Sequence, residues 1–183
     1  MLFTLIILGI VALGVLIFFS YFNRFGVLGN RIDNSLSQID VQLKRRADLI
    51  PNLIETVKGY TKHENAVIKA VTDARRALVS AGDVEKKVKA NEKLESALKS
   101  VFALAENYPN LKANENFLDL QRELASTEDK VAYSRQYYND SILSYNDLCK
   151  TYPGKFFADL YKKKPREYLQ ISEKERKNVE VKF

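Results

Sequence analysis

Tryptophan is absent from this chain of 183 residues, cysteine, methionine and histidine occur once each, and proline and glycine number only 4 and 7. Each shortage excludes something. One cysteine, Cys149, rules out an intramolecular disulfide, leaves the redox compartment open and has no base beside it in sequence to make it a nucleophile. One histidine, His63, rules out a His-rich metal site, and no Glu-x-x-His pair exists for a di-iron carboxylate bundle. No phosphate loop, serine elbow, dinucleotide fingerprint or EF-hand loop is present. The expectation is a protein with no catalytic residue, no metal and no cofactor. Scarce glycine and proline, with plentiful Leu, Lys, Ala, Glu and Asn, favour long helices over turn-rich sheets.

The charge is +6, from 29 basic and 23 acidic residues interspersed along most of the chain. That pattern suits solvated helix surfaces. With no zinc-finger or RNP-type motif and no basic stripe interleaved with aromatics, nucleic acid is not an expected partner.

What the chain does have is one long apolar run. From Leu2 to Phe22 no side chain is charged, and roughly 21 residues at 1.5 Å rise span about 32 Å, enough to cross a hydrocarbon core of about 30 Å. A cleaved secretory signal is the rival reading, but Met1-Leu2-Phe3 carries no basic residue and Ser20-Tyr21-Phe22 is a poor cleavage site. Tyr21, Phe22, Arg24 and Phe25 make an interfacial belt. Gly9 and Gly14 are too far apart for a small-residue helix contact, so an oligomer would form through the soluble part. Arg24, Arg31, Lys44, Arg45 and Arg46 all follow the apolar run, which favours a cytoplasmic soluble part.

Beyond the anchor the periodicity is helical. Ile32, Leu36, Ile39, Leu43, Arg46, Ile50, Leu53 and Val57 form one stripe, broken only by Arg46, with Pro51 expected to kink the helix near Ala47. Gly59 and a Thr61-x-x-Glu64 capping box predict a helix break. A second stripe runs from Val67 to Leu78, a third helix from Val84 to Ala105, and a long fourth from Phe117 to Leu148. The expected fold is all-α: a single N-terminal transmembrane helix (1–26), an antiparallel four-helix bundle (27–153), and a basic, aromatic segment with a loose tail (154–183). Three long helices, the first kinked, are the alternative.

Several polar residues interrupt the apolar faces. Arg46 should seek a carboxylate among Asp48, Glu64, Glu106, Glu123 and Glu128. Tyr138-Asn139-Asp140 recurs as Tyr145-Asn146-Asp147, placing two tyrosines on one face and two asparagines on the next. Interior pairing that fixes helix register is the simpler reading, a small-molecule site the other. After the fourth helix, Phe156 and Phe157 run into Lys162, Lys163 and Lys164, a pattern that suits an anionic membrane surface or, equally, a capped bundle end with solvated lysines. The closing Val179-Glu180-Val181-Lys182-Phe183 alternates and could add as an edge strand.

QIDVQLKRRADLIPNLIETVKGYTKHE, then ENYPNLKANENFLDLQRELASTEDKVAYSRQYYNDSILSYN, then TYPGKFFA and a final V-x-F, all behind an apolar N-terminus, resemble the LemA family of bacterial membrane proteins. The resemblance implies an N-terminal membrane helix with a helical domain in the cell (inner) membrane. Some members of that family take part in building the membrane compartment of magnetosomes, and it carries over no catalytic residue. Arg46, Glu64, Glu128, Arg135, Tyr138, Asn139, Tyr145 and Asn146 are among the matching positions, all with structural roles open to them. The expected function is a non-enzymatic scaffold or adaptor that oligomerises or recruits membrane proteins and shapes the bilayer. A ligand- or signal-sensing module using the interior polar residues is the alternative.

Overall fold

A computed structural model describes residues 1–61 and 63–169. Its elements are α1 (Leu2–Tyr60), α2 (Asn65–Ser80), α3 (Val84–Ala105), α4 (Pro109–Lys112), α5 (Glu115–Lys150) and α6 (Gly154–Leu160). No strand occurs among the described residues, and the sequence from Val179 to Phe183 lies outside them. The described residues divide into two compact units, residues 35–135 and residues 1–34 with 136–169.

In the unit of residues 35–135, the expected stripe of α1 is the buried one: Ile39, Leu43, Ile50, Leu53 and Val57 are all sealed from solvent. Val71, Ala74 and Leu78 of α2, Leu94, Leu98 and Val101 of α3, and Phe117, Leu124 and Val131 of α5 complete the core. These positions recur at helical spacing, so burying them drives the packing. Helix starts follow local chemistry. The Asp83 carboxylate accepts from Lys86 N at 2.8 Å to cap α3, and Asn114 Oδ1 accepts from Phe117 N at 3.0 Å to cap α5.

Pro51 lies inside α1, which continues past it to Tyr60. Proline has no N–H, so the Ala47 carbonyl four residues back loses its helical donor. Arg75 of α2 supplies one: its Nε donates to Ala47 O at 2.8 Å. A buried, unsatisfied carbonyl is thereby avoided, and α2 is tied to α1 at that turn.

The break after Gly59 is present, because α1 ends at Tyr60 and α2 begins at Asn65. The capping box is not. Thr61 Oγ1 instead donates back to Val57 O at 3.0 Å, closing α1, while Glu64 at the N-cap of α2 makes no side-chain cap and accepts from the Tyr108 hydroxyl at 2.9 Å. Each side chain bonds elsewhere than the other end of the box. After α3, Tyr108 and Pro109 start the short α4, with the proline at its first position.

In the other unit, residues 1–20 are exposed throughout, and this first part of α1 is long and apolar enough to cross a membrane. Phe25, Leu28 and Ile32 then turn inward with Tyr138, Ile142, Tyr145, Leu148 and Cys149 of α5. Phe25 and Tyr145 meet edge to face at 5.7 Å. A cis Tyr152–Pro153 bond leads into α6. Gly154 is needed there, since a Cβ on it would lie 2.3 Å from Leu148 O.

Replacing Arg75 with Met should destabilise the chain by about 1–3 kcal/mol by orphaning Ala47 O. Adding Pro51→Ala to that variant should recover much of the loss, because an alanine N–H can serve the same carbonyl. Denaturation of the solubilised protein followed by helical circular dichroism, run as a double-mutant cycle, measures both.

Candidate functional site

Three groups of polar or aromatic side chains stand out, and the first surrounds Arg46. This residue is 1% exposed, so its guanidinium must be met by acceptors. Nη1 donates to Asn91 Oδ1 of α3 at 3.1 Å and Nη2 to Glu128 Oε2 of α5 at 3.4 Å. Burial pulls the arginine pKa below its usual range, and the charges of Glu128 and Glu95 oppose that pull. Nε has no partner among the described residues. Of the five carboxylates weighed from sequence, Glu128 is the partner. Glu123 pairs with Arg45 at 2.8 Å, Glu64 serves Tyr108, and Asp48 and Glu106 face solvent. Asn91 carries no signal in the apolar stripes, being a buried amide one turn before Leu94. Arg135 is half-buried.

Beside this cluster a groove of about 210 Å³ is lined by residues of α1, α2 and α3, among them Asp40, Lys44, Asp48, Arg75 and Lys87. Its polar groups are partly spent on the protein itself, through the Lys87–Asp40 ion pair and the Arg75 bond to Ala47 O.

The second group is aromatic. Tyr161, just past α6, donates its hydroxyl to Phe18 O at 2.6 Å and packs edge to face on Phe18 at 5.2 Å and Phe22 at 5.6 Å. Phe157 stacks on Tyr21 at 4.5 Å. The two phenylalanines weighed from sequence therefore differ: Phe157 is buried, while Phe156 is 60% exposed, as is Leu160 at 53%, four residues on along the same face. Lys162, Lys163 and Lys164 are exposed beyond them.

The third group is built on the repeated Tyr-Asn-Asp of α5. Asn146 Nδ2 donates to Arg166 O at 2.9 Å while its Oδ1 accepts from Arg166 N at 2.8 Å. Asn139 does the same with Leu169, at 3.2 Å to its carbonyl and 3.0 Å from its N–H. Each side-chain amide thus behaves as a strand neighbour would. The first residues of the tail, expected to be loose, are held as an extended strap. Arg166 is fixed further by Asp33 Oδ1 at 3.2 Å and by the Tyr145 ring, 5.4 Å away, and the Tyr138 hydroxyl reaches Glu167 O at 3.5 Å. Burial raises the pKa of both tyrosines and of the Cys149 thiol, the opposite of what a thiolate nucleophile needs. Among the described residues no group of three or more His, Cys, Asp or Glu gathers as a metal cage.

Helices throughout the described residues, with an exposed apolar stretch opening the first of them, fit a membrane-associated protein. The LemA family profile matches residues 35–183, and the chain belongs to the LemA family. It is 29% identical to Protein LemA of Metamycoplasma hominis over 157 residues, which cover 83% of this chain and 70% of that protein. It is 22% identical to Magnetosome protein MamQ of Magnetospirillum gryphiswaldense and 23% identical to Magnetosome protein MamQ 2 of Paramagnetospirillum magneticum, in each case over 81% of this chain. The match spans 64% of the length of each of those two relatives.

Glu128→Gln should destabilise the protein by about 1–2 kcal/mol, a value reduced by the 46% exposure of that carboxylate, because a buried guanidinium loses its counter-charge. Glu123→Gln, which breaks only the exposed pair with Arg45, should change stability by less than about 1 kcal/mol. Chemical denaturation midpoints of the two variants, compared side by side, separate these cases.

Proposed function

We propose that the chain is a single-pass membrane scaffold, without catalytic activity, whose helical domain oligomerises or recruits membrane proteins at the bacterial inner membrane. In this reading Leu2 to Phe22 span the bilayer. Residues 35–60, α2, α3 and the first half of α5 form an antiparallel four-helix bundle on the cytoplasmic side. The observation that carries the proposal is the aromatic seam. Tyr161 bonds the backbone of Phe18, inside the apolar stretch, so α6 lies level with the last turns of the span. Phe156 and Leu160 can then enter the acyl boundary and Lys162, Lys163 and Lys164 meet anionic headgroups. Phe157, stacked on Tyr21, serves the seam instead. Two membrane contacts within one unit hold that unit to the bilayer surface more firmly than a single span does, which suits a platform for other proteins. Relatives named as magnetosome proteins support a place in a larger assembly.

A ligand-sensing role draws support from the groove lined by Arg75 and Lys87 and from the unpartnered Nε of Arg46, but among the interior residues expected to serve it, Arg46, Glu64, Tyr138, Asn139 and Asn146, every other hydrogen bond described goes to a protein group.

Because tryptophan is absent, Phe156→Trp creates a single reporter. In vesicles containing anionic lipid its emission should shift to the blue and be quenched by brominated acyl chains. Emission as in water, without quenching, would remove the second contact. The mass of the nanodisc-embedded particle, with and without residues 154–164, tests the scaffold: one copy per particle in both cases rules out an oligomer. Protease access in intact cells tests the orientation.

A further inference from the structure

The asparagine pair of α5 grips a main chain rather than a side chain. Each amide offers one donor and one acceptor, and each finds both halves of a single residue's backbone, first at Arg166 and then at Leu169. The spacing matches: seven helical residues advance about 10.5 Å and three extended residues about 10 Å, so both rungs close at once. Arg166 adds a key, seated against Tyr145 and Asp33. None of these contacts depends on the strap belonging to the same chain as the clamp.

The connection between α6 and the strap is where the molecule is least at ease. Lys162 has φ 55, the left-handed region, and among the described residues no other non-glycine side chain adopts a positive φ. Lys162 and Lys163 donate back to Asp159 O at 3.2 Å and Ala158 O at 2.8 Å, folding the connection on itself. Extended instead, the four residues from Lys162 to Pro165 would reach about 13 Å, more than the 8–10 Å between the axes of packed helices.

We propose that Asn139 and Asn146 form a main-chain clamp whose working occupant is the Arg166–Leu169 strap of a second copy, so that neighbouring copies exchange straps across the membrane plane. Exchange keeps every rung and the arginine seat while letting Lys162 leave its left-handed backbone. A copy of this chain is the occupant because it alone is certain to carry the basic residue that fits Asp33 and Tyr145 at the matching position, and confinement to one membrane raises its effective concentration. The proposal rests on the oligomeric scaffold described above and names the contact that builds it.

The test uses the full chain in lipid nanodiscs or vesicles, labelled for energy transfer. One variant, Arg166→Pro with Leu169→Pro, removes both strap N–H donors. The other, Asn139→Leu with Asn146→Leu, removes the clamp at similar volume. Native association should weaken by about tenfold or more in either variant alone and return in part when the two are mixed, because the mixed pair can form one of the two exchanged contacts, the strap of one in the clamp of the other. Failure of the mixture to pair, with the helical circular dichroism of both variants intact, overturns the exchange. Variants that associate alone as the native chain does also overturn it, and leave the scaffold reading standing on another contact. A native chain that never pairs overturns both.

Should either variant fail to fold, the native chain still decides. A synthetic peptide of residues 163–170 should dissociate native pairs, and the same peptide N-methylated at Arg166 and Leu169 should not. Equal effects of the two peptides would overturn a clamp that reads the main chain.

Discussion

A guanidinium removed from water has to be met by acceptors, and the helices around Arg46 are arranged by that requirement. Asn91 approaches from α3 and Glu128 from α5, so three helices must hold their register for one cation to be buried. Hydrophobic burial supplies the bulk of the attraction in this unit, but apolar contacts tolerate sliding and a charge does not. The ion pair between Lys87 and Asp40 and the pair between Arg45 and Glu123 repeat the link to α3 and to α5 at more exposed points, where they contribute less.

A second theme is side chains taking over duties of the backbone. Arg75 replaces the N–H missing at Pro51, Thr61 closes the end of α1, and Asn139 and Asn146 act as strand partners for the tail. In each case the helix meets an obligation it cannot meet internally, and doing so joins it to another part of the chain. At Pro51 the join reaches α2, and at the asparagines it reaches residues 166–169.

The α-helical character, the apolar N-terminal stretch, the stripe from Ile39 to Val57 and the break after Gly59 were legible because they rest on local chemistry and short periodicity. Glu128 was legible only as one of five carboxylates, since selecting it requires knowing which helix faces Arg46. The Thr61–Glu64 box failed because a capping motif competes with tertiary partners, and Tyr108 won Glu64. The repeated asparagines were visible from their spacing, whereas their partners were not: a main-chain ligand has no residue signature to search for. Short α6 was hidden because seven residues carry too little periodicity, and its Phe157 and Tyr161 declare their role only beside Phe18 and Tyr21.

The two asparagines and the strap behave as a vernier, a coarse scale laid against a fine one. Helix and extended chain advance at different rates, and their marks coincide at two places, Asn146 with Arg166 and Asn139 with Leu169. A shift of the strap by one residue would misalign both marks and turn every side chain to the opposite face. The strap therefore cannot creep under load. It is seated or it is free, and a pull on the tail would be felt by α5 as a step rather than a slope.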